Sequence, residues 1–277
     1  MKLNKPTKRE WSDLKHYTNN WIAEPKFDGE RATLSKIDGK INIIRENGNN
    51  KNIQYPELLN IPIPNNTILD GEVCIPTSDY TSDFNTFQLR MNLRDEFRIK
   101  QYLKNKATTV SFVAFDVIRY KDKSMENFVW NERRALLDRI VDSDRLRKVK
   151  YFNPTQLQGL VKRHEVRGKN SMEGIVLKQT TGLLTSNWYK IKNLVENDFK
   201  VVGYNTSEKR SVISTITVED EVGNQTNVTY YTNMPVSDEI LNNLKGSTAV
   251  VQYLPSGSKD KLRFPVLKEV RVEKCLK

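Results

Sequence analysis

Short apolar runs closed off by Gly, Pro, Asn and Asp dominate this chain, with helical spacing in two places only. Runs over Lys40 to Arg45, Ile68 to Ile75, Thr109 to Tyr120, Gly174 to Gln179 and Trp188 to Lys192 predict strands. Asn131 to Val141 and Pro154 to Val166 predict helices. Asp38-Gly39, two residue types that tolerate positive φ, predicts a hairpin turn and so an antiparallel sheet early in the chain. The Asn-rich stretch Asn47 to Asn52 reads as a loop.

After Lys192 a polar linker, Asn193 to Asp198, is followed by predicted strands at Phe199 to Tyr204, Val212 to Val218, Asn227 to Tyr231, Ala249 to Leu254 and Val266 to Val272. Five short strands predict a small barrel of the OB type. The expected fold class is therefore α+β: a first domain over residues 1–193 built on antiparallel sheets, then a β-barrel over 194–277. Net charge is +11, and all of the excess lies in residues 1–193; within the second part, Lys259 to Lys277 is the basic end. Such an excess predicts a polyanionic partner, nucleic acid ahead of a membrane surface, because Lys and Arg neutralise phosphates and release counterions. The plain alternative is a soluble protein that happens to be basic.

No stretch approaches the ~18 apolar residues a membrane span needs, and the polar, basic start lacks an apolar run behind it. This predicts a soluble, cytoplasmic protein. Cys74 and Cys275 cannot build a disulfide framework or a four-cysteine zinc site, and His16 and His164 are too far apart in sequence to suggest a metal centre.

The sharpest chemical signal is Glu24-Pro25-Lys26-Phe27-Asp28-Gly29-Glu30-Arg31. A lysine amine can attack the α-phosphate of a nucleotide and hold it as a phosphoramidate, provided the amine is neutral. From a reference pKa near 10.4 that requires a depression of roughly two to three units, which nearby cations and burial can supply. Alone, Lys-x-Asp-Gly is as often a strand end and turn. Further along come Leu69-Asp70-Gly71-Glu72-Val73, Phe112 to Val117, Glu173-Gly174-Ile175-Val176-Leu177-Lys178 and Trp188-Tyr189-Lys190-Ile191-Lys192. Together, and in this order, the five segments resemble the motifs of the covalent nucleotidyltransferases, and the chain looks like a small ATP-dependent DNA ligase of viral or bacteriophage type.

That resemblance implies roles. Lys26 is the nucleophile, Glu24 reads the adenine amino group, Phe115 lies against the base, and Glu72 holds the ribose. Glu173 organises a metal, with Asp28 and Glu72 as further candidates, because ATP arrives with Mg²⁺. Lys190 and Lys192, on one face of a strand, are expected to bind the α-phosphate and to depress the pKa of Lys26. Arg31 and Arg45 are candidates for the 5′-phosphate of a nick, Arg31 also for the nucleotide. Arg271 and Lys274 lie in a segment that resembles the family's last motif, with Glu273 where the family usually has Asp. There they would meet the pyrophosphate leaving group as the second domain closes, swinging on the Asn193 to Asp198 linker. The implied partner is nicked duplex DNA, bound by a monomer in the cytoplasm, the host's if the source is a phage.

Relatives with other substrates differ in detail. Capping enzymes carry Asp-Gly where this chain has Glu173-Gly174, and many RNA ligases lack the closing barrel. NAD-dependent ligases need a further domain ahead of the lysine, whereas 25 residues precede Lys26 here. A non-catalytic binding protein on the same scaffold would have lost the lysine or a carboxylate, and none is lost.

Overall fold

Asp38 and Gly39, at φ of 47° and 76°, close the hairpin between β3 (Glu30–Ile37) and β4 (Lys40–Arg45). The computed structural model that shows this describes residues 5–163, 172–207, 212–230, 243–255 and 262–271, in two units, Met1–Asn193 and Leu194–Lys277.

In the first unit the hairpin continues into a six-stranded sheet. Its order is β4-β3-β5-β6-β7, with β5 Thr67–Cys74, β6 Ser111–Tyr120 and β7 Lys123–Ser124, while β8 (Leu146–Lys148) runs parallel to β6. Alternation puts Glu30, Ala32 and Leu34 of β3 inside; β5 and β6, central in the sheet, are buried along most of their length. A second sheet has the order β1-β10-β9-β2, with β1 Thr7–Arg9, β2 Trp21–Pro25, β9 Gly174–Gln179 and β10 Tyr189–Lys192. Apolar residues from Leu34, Ile43, Leu69 and Phe112 form the core of the large sheet, and Ala23, Leu157, Ile175 and Ile191 that of the small one.

Four α-helices occur among the described residues: α1 (Phe84–Met91), α2 (Glu96–Leu103), α3 (Trp130–Asp138) and α4 (Pro154–Arg163). The last two match the helical spacing in the sequence, though α3 stops short of Val141 and residues 164–166 lie outside the described residues. The first two were not predicted. Each starts at an aspartate whose carboxylate accepts a backbone N–H three residues on, Asp83 from Thr86 and Asp95 from Arg98. No helix among the described residues is long and apolar enough to cross a membrane.

The second unit is one antiparallel sheet of order β13-β12-β11-β14-β15, with β11 Val195–Ser207, β12 Val212–Glu219, β13 Gln225–Thr229, β14 Thr248–Leu254 and β15 Arg263–Arg271. Register shifts at Val201/Gly203 and Asn205/Thr206 bend β11, and the sheet curls over Phe199, Ile216, Val228 and Val251. Its edges approach each other, where the Leu262 N–H donates to Thr226 Oγ1 at 3.1 Å just ahead of β15. The linker expected over Asn193 to Asp198 is corrected here: Val195 to Asp198 pair with Tyr253 to Val250 of β14. Their polar side chains suggested a linker, and Glu196 to Asp198 are all exposed, so no alternation marks them as a strand; the cross-strand ladder does.

Candidate active site

Three strands of the small sheet set Lys26 in place. Glu24 on β2, Val176 on β9 and Lys190 on β10 are directly paired across the sheet, and two residues along Gly174 pairs with Lys192 while the Lys26 N–H donates to the Gly174 carbonyl at 2.9 Å. Gly174 has φ 149°, and a Cβ there would stand 2.1 Å from the Ile191 carbonyl oxygen. Only glycine permits this approach. The turn after Lys26 is equally tight: a Cβ on Gly29 would lie 2.2 Å from the Val73 carbonyl oxygen. Ser82, which carried no signal in the sequence, locks that turn by accepting the Asp28 N–H at 2.9 Å and donating to the Asp28 carbonyl at 3.0 Å.

Glu173 joins two lysines. One oxygen accepts a hydrogen bond from Lys26 Nζ, and the other lies 3.4 Å from Lys192 Nζ. From the large sheet, Arg31 pairs with Glu72 in register and donates from Nε and Nη2, one edge of its guanidinium, to the two oxygens of Asp70, at 3.1 and 2.6 Å. A cavity of about 370 Å³ is lined by Glu24, Lys26, Arg31, Glu72, Phe115 and Lys190, and also by Phe27, Val176, Lys178 and Trp188. Trp188 and Lys178 belong to the quoted motifs, but their types alone gave them no role. Trp188 meets Phe115 edge to face at 5.8 Å, and the Arg31 guanidinium sits 5.5 Å from the Phe115 ring.

Arg45 stands apart from this cavity. It is paired with buried Glu30 at 3.0 Å and lines a broader neighbouring depression, which shares Lys5 and Glu46 with the first. Asp116, an acid of the aromatic strand, is held at both oxygens by Arg133 at 2.7 and 2.9 Å, and both side chains are buried. In the second unit, Arg271 lies 3.2 Å from Asp198 and 3.1 Å from Glu269. Lys274 and Cys275 lie outside the described residues, as do His164, Arg167 and Lys169.

The electrostatics correct one expectation. Burial works against the charge of Lys26, yet Glu173, Glu72 and Asp28 outweigh it, so its pKa is raised rather than depressed. The depression falls on Lys190, through burial and repulsion by Lys26 and Lys192. A direct hydrogen bond to a carboxylate at Lys26 explains why the neighbouring cations do not win there. Withdrawal from water pushes the Glu72 carboxyl up to about 8, with Glu173 and Asp28 adding to the shift and Lys26 opposing it. Burial also raises Asp70 and Glu24, each opposed by its own cation, Arg31 and Lys178.

Among the described residues no group of three His, Cys, Asp or Glu is arranged to hold a metal ion. Asp28, Glu72 and Glu173 surround the Lys26 ammonium instead. They supply negative charge without a coordination sphere, so a bound divalent ion would take most of its oxygens from phosphate and water.

A family model described as "ATP dependent DNA ligase domain" matches residues 1–192. The SPbeta prophage-derived DNA ligase-like protein LigB of Bacillus subtilis is 31% identical over 202 residues, 70% of this chain and 69% of that protein. A DNA ligase of Nitrosopumilus maritimus is 26% identical over 69% of this chain, which spans 34% of that longer protein. Among solved structures, one from a study of Lig E DNA ligases superposes with a TM-score of 0.68 at 16% identity, covering 98% of this chain and 99% of its own. The ligase domain of LigD from M. tuberculosis gives a TM-score of 0.52 at 17% identity, covering 98% and 96%. These two show a shared fold.

Proposed function

This chain belongs to the ATP-dependent DNA ligase family, and from that membership we propose that it seals 3′-hydroxyl/5′-phosphate nicks in duplex DNA through an adenylate on Lys26. The observation that carries the reading is the convergence of Lys26, Lys190, Arg31 and Phe115 on one cavity, beside a Glu24 oxygen that has no hydrogen-bond partner among the described residues. An aromatic face suits a purine, the orphaned acceptor suits its amino group, and the cations suit phosphate.

In the proposed sequence Lys26 releases its proton to water against the pull of Glu173, and the neutral amine attacks the α-phosphorus of ATP as pyrophosphate leaves. A 5′-phosphate oxygen of the nick then displaces Lys26 and takes the AMP, and the 3′-hydroxyl finally displaces AMP to form the phosphodiester. Each step is a phosphoryl transfer, in which placement and charge dominate. Mg²⁺ arriving with ATP would offset charge on the triphosphate, and Glu173, Asp28 and Glu72 are the carboxylates that would help to hold it. Glu72 is assigned to the ribose, Lys190 and Lys192 to the α-phosphate, Arg31 to the nucleotide and, with Arg45, to the nick phosphate. The curled sheet of residues 194–277 is read as an OB barrel, and Arg271 and Lys274 are assigned to the leaving pyrophosphate. The protein is read as a cytoplasmic monomer.

The test is direct. Incubated with α-labelled ATP and Mg²⁺ and then denatured, the protein should retain label; with β-labelled ATP it should not. Retention only from GTP would instead mark a capping activity.

A further inference from the structure

Lys178 ends the acidic motif of β9 and has a buried ammonium, 1% exposed, to which the reading above gives no task. Nζ lies 2.7 Å from Oε2 of Glu24 and donates to the Phe115 carbonyl at 3.0 Å. It also lies 4.1 Å from the Trp188 ring centre and 4.8 Å from that of Phe115. Glu24 pairs with Val176 and Ile22 with Lys178, so Glu24 and Lys178 are diagonal neighbours on one face of the sheet. All four side chains, Glu24, Lys178, Phe115 and Trp188, line the cavity. Oε2 of Glu24 is taken by the lysine, whereas the buried Oε1 has no hydrogen-bond partner among the described residues.

We propose that Lys178 is a specificity-determining positioning residue: by holding Glu24 ionised through Oε2, it keeps Oε1 an acceptor only, selecting a purine with an amino group at C6 over one with oxygen there. This rests on the reading of the cavity as the ATP site. An ionised carboxylate has no proton to give, so it accepts from an amino group and repels a carbonyl oxygen. A protonated one donates as well and would take a 6-oxo purine. Burial already pushes the Glu24 carboxyl towards protonation, and Lys178 is the first influence against it. Without the ammonium, the carboxyl becomes a donor and the discrimination goes.

The experiment compares single-turnover self-nucleotidylation from α-labelled ATP and inosine triphosphate, which differ only at the C6 group and its adjoining ring proton. Wild type should favour ATP by about tenfold or more, the worth of one charge-assisted hydrogen bond. Lys178→Met should lower the ATP-to-inosine ratio to about unity, and Lys178→Arg should restore most of it. Glu24→Gln combined with Lys178→Met should match Glu24→Gln alone, because the lysine acts through the carboxylate. If Lys178→Met fails to fold, Lys178→Gln carries the same comparison, since it can still bond Glu24 and Phe115 without the charge. A variant that loses labelling from both nucleotides by the same factor overturns the proposal and leaves Lys178 a structural support. A double mutant worse in ratio than Glu24→Gln also overturns it. Wild type that takes no label from either nucleotide overturns the Lys26 reading itself, a result separate from both.

Discussion

If the proposed adenylation at Lys26 holds, the proton on that residue sets how fast the protein can be charged with nucleotide. Its pKa is raised by Glu173, Glu72 and Asp28 against the effect of burial, so only a small neutral fraction exists near neutrality. Self-adenylation should therefore climb by about one log unit per pH unit through the neutral range. Glu173→Gln, which removes the carboxylate bonded to Nζ, should move that rise to lower pH, and an unmoved profile would free Glu173 of any part in the proton's fate. Lys26→Ala should leave no label on the denatured chain while retaining most of the affinity for nicked duplex. Glu72 gives a stability test of defined sign. Its folded carboxyl holds a proton to about 8 against a reference of 4.5, so the stability it contributes is full below 4.5 and is lost as pH rises through 8. Glu72→Gln should flatten that fall, by on the order of 2–4 kcal/mol in urea unfolding compared at pH 5 and pH 9. Which residues meet in the cavity was largely legible, because the motifs carry distinctive side chains at fixed spacing. The sign of the Lys26 shift was not, since it depends on a carboxylate 147 positions away in sequence. Ser82 was equally silent, as one serine among many in a polar stretch.

Strands and helices were legible where the side chains themselves carry a period. The hairpin at Asp38-Gly39 and the strand holding Lys190 and Lys192 match the structure closely. Helices α1 and α2 escaped because each is only eight residues long, about two turns, too short for a helical period to stand out, although Asp83 and Asp95 were present as starting signals. Val195 to Asp198 escaped because their pairing partners lie over 50 positions away. Two substitutions test how far the elements support the site. Arg133→Ala would leave Asp116 charged and buried between α3 and β6, at a cost of about 3–5 kcal/mol in denaturant unfolding. Loss of less than 1 kcal/mol would mean that the pair is as dispensable as a surface one. Gly174→Ala should part β9 from β10 beside Lys26 and cost adenylation activity well beyond its loss of stability.

At the scale of the whole molecule the expectations concern DNA. Affinity for nicked duplex should fall with salt at a log–log slope of about −0.9 per phosphate neutralised. In the basic segment that holds Arg145, Arg147, Lys148 and Lys150, two side chains are already committed, with Lys148 donating to the Ile140 carbonyl and Lys150 bonded to Asp79. Charge reversal at Arg145 and Arg147 should accordingly flatten the slope more than reversal at Lys150; equal slopes would mean that this face is only solvated. Replacing Arg271 and Lys274 with Ala should cut self-adenylation and spare the sealing of a pre-adenylated nick, and a matching loss in both would make them DNA contacts. The junction between the units adds a consequence of another kind. Asn193 is bonded through its N–H to the Glu173 carbonyl and through Nδ2 to that of Met172, while Val195 already lies in β11, so Leu194 alone stands between. A protease needs a length of backbone that can open locally, and residues tied into ladders on both sides do not give it one. Limited digestion should therefore spare the boundary and nick elsewhere, so separate halves would have to be expressed from truncated genes rather than cut from the intact chain.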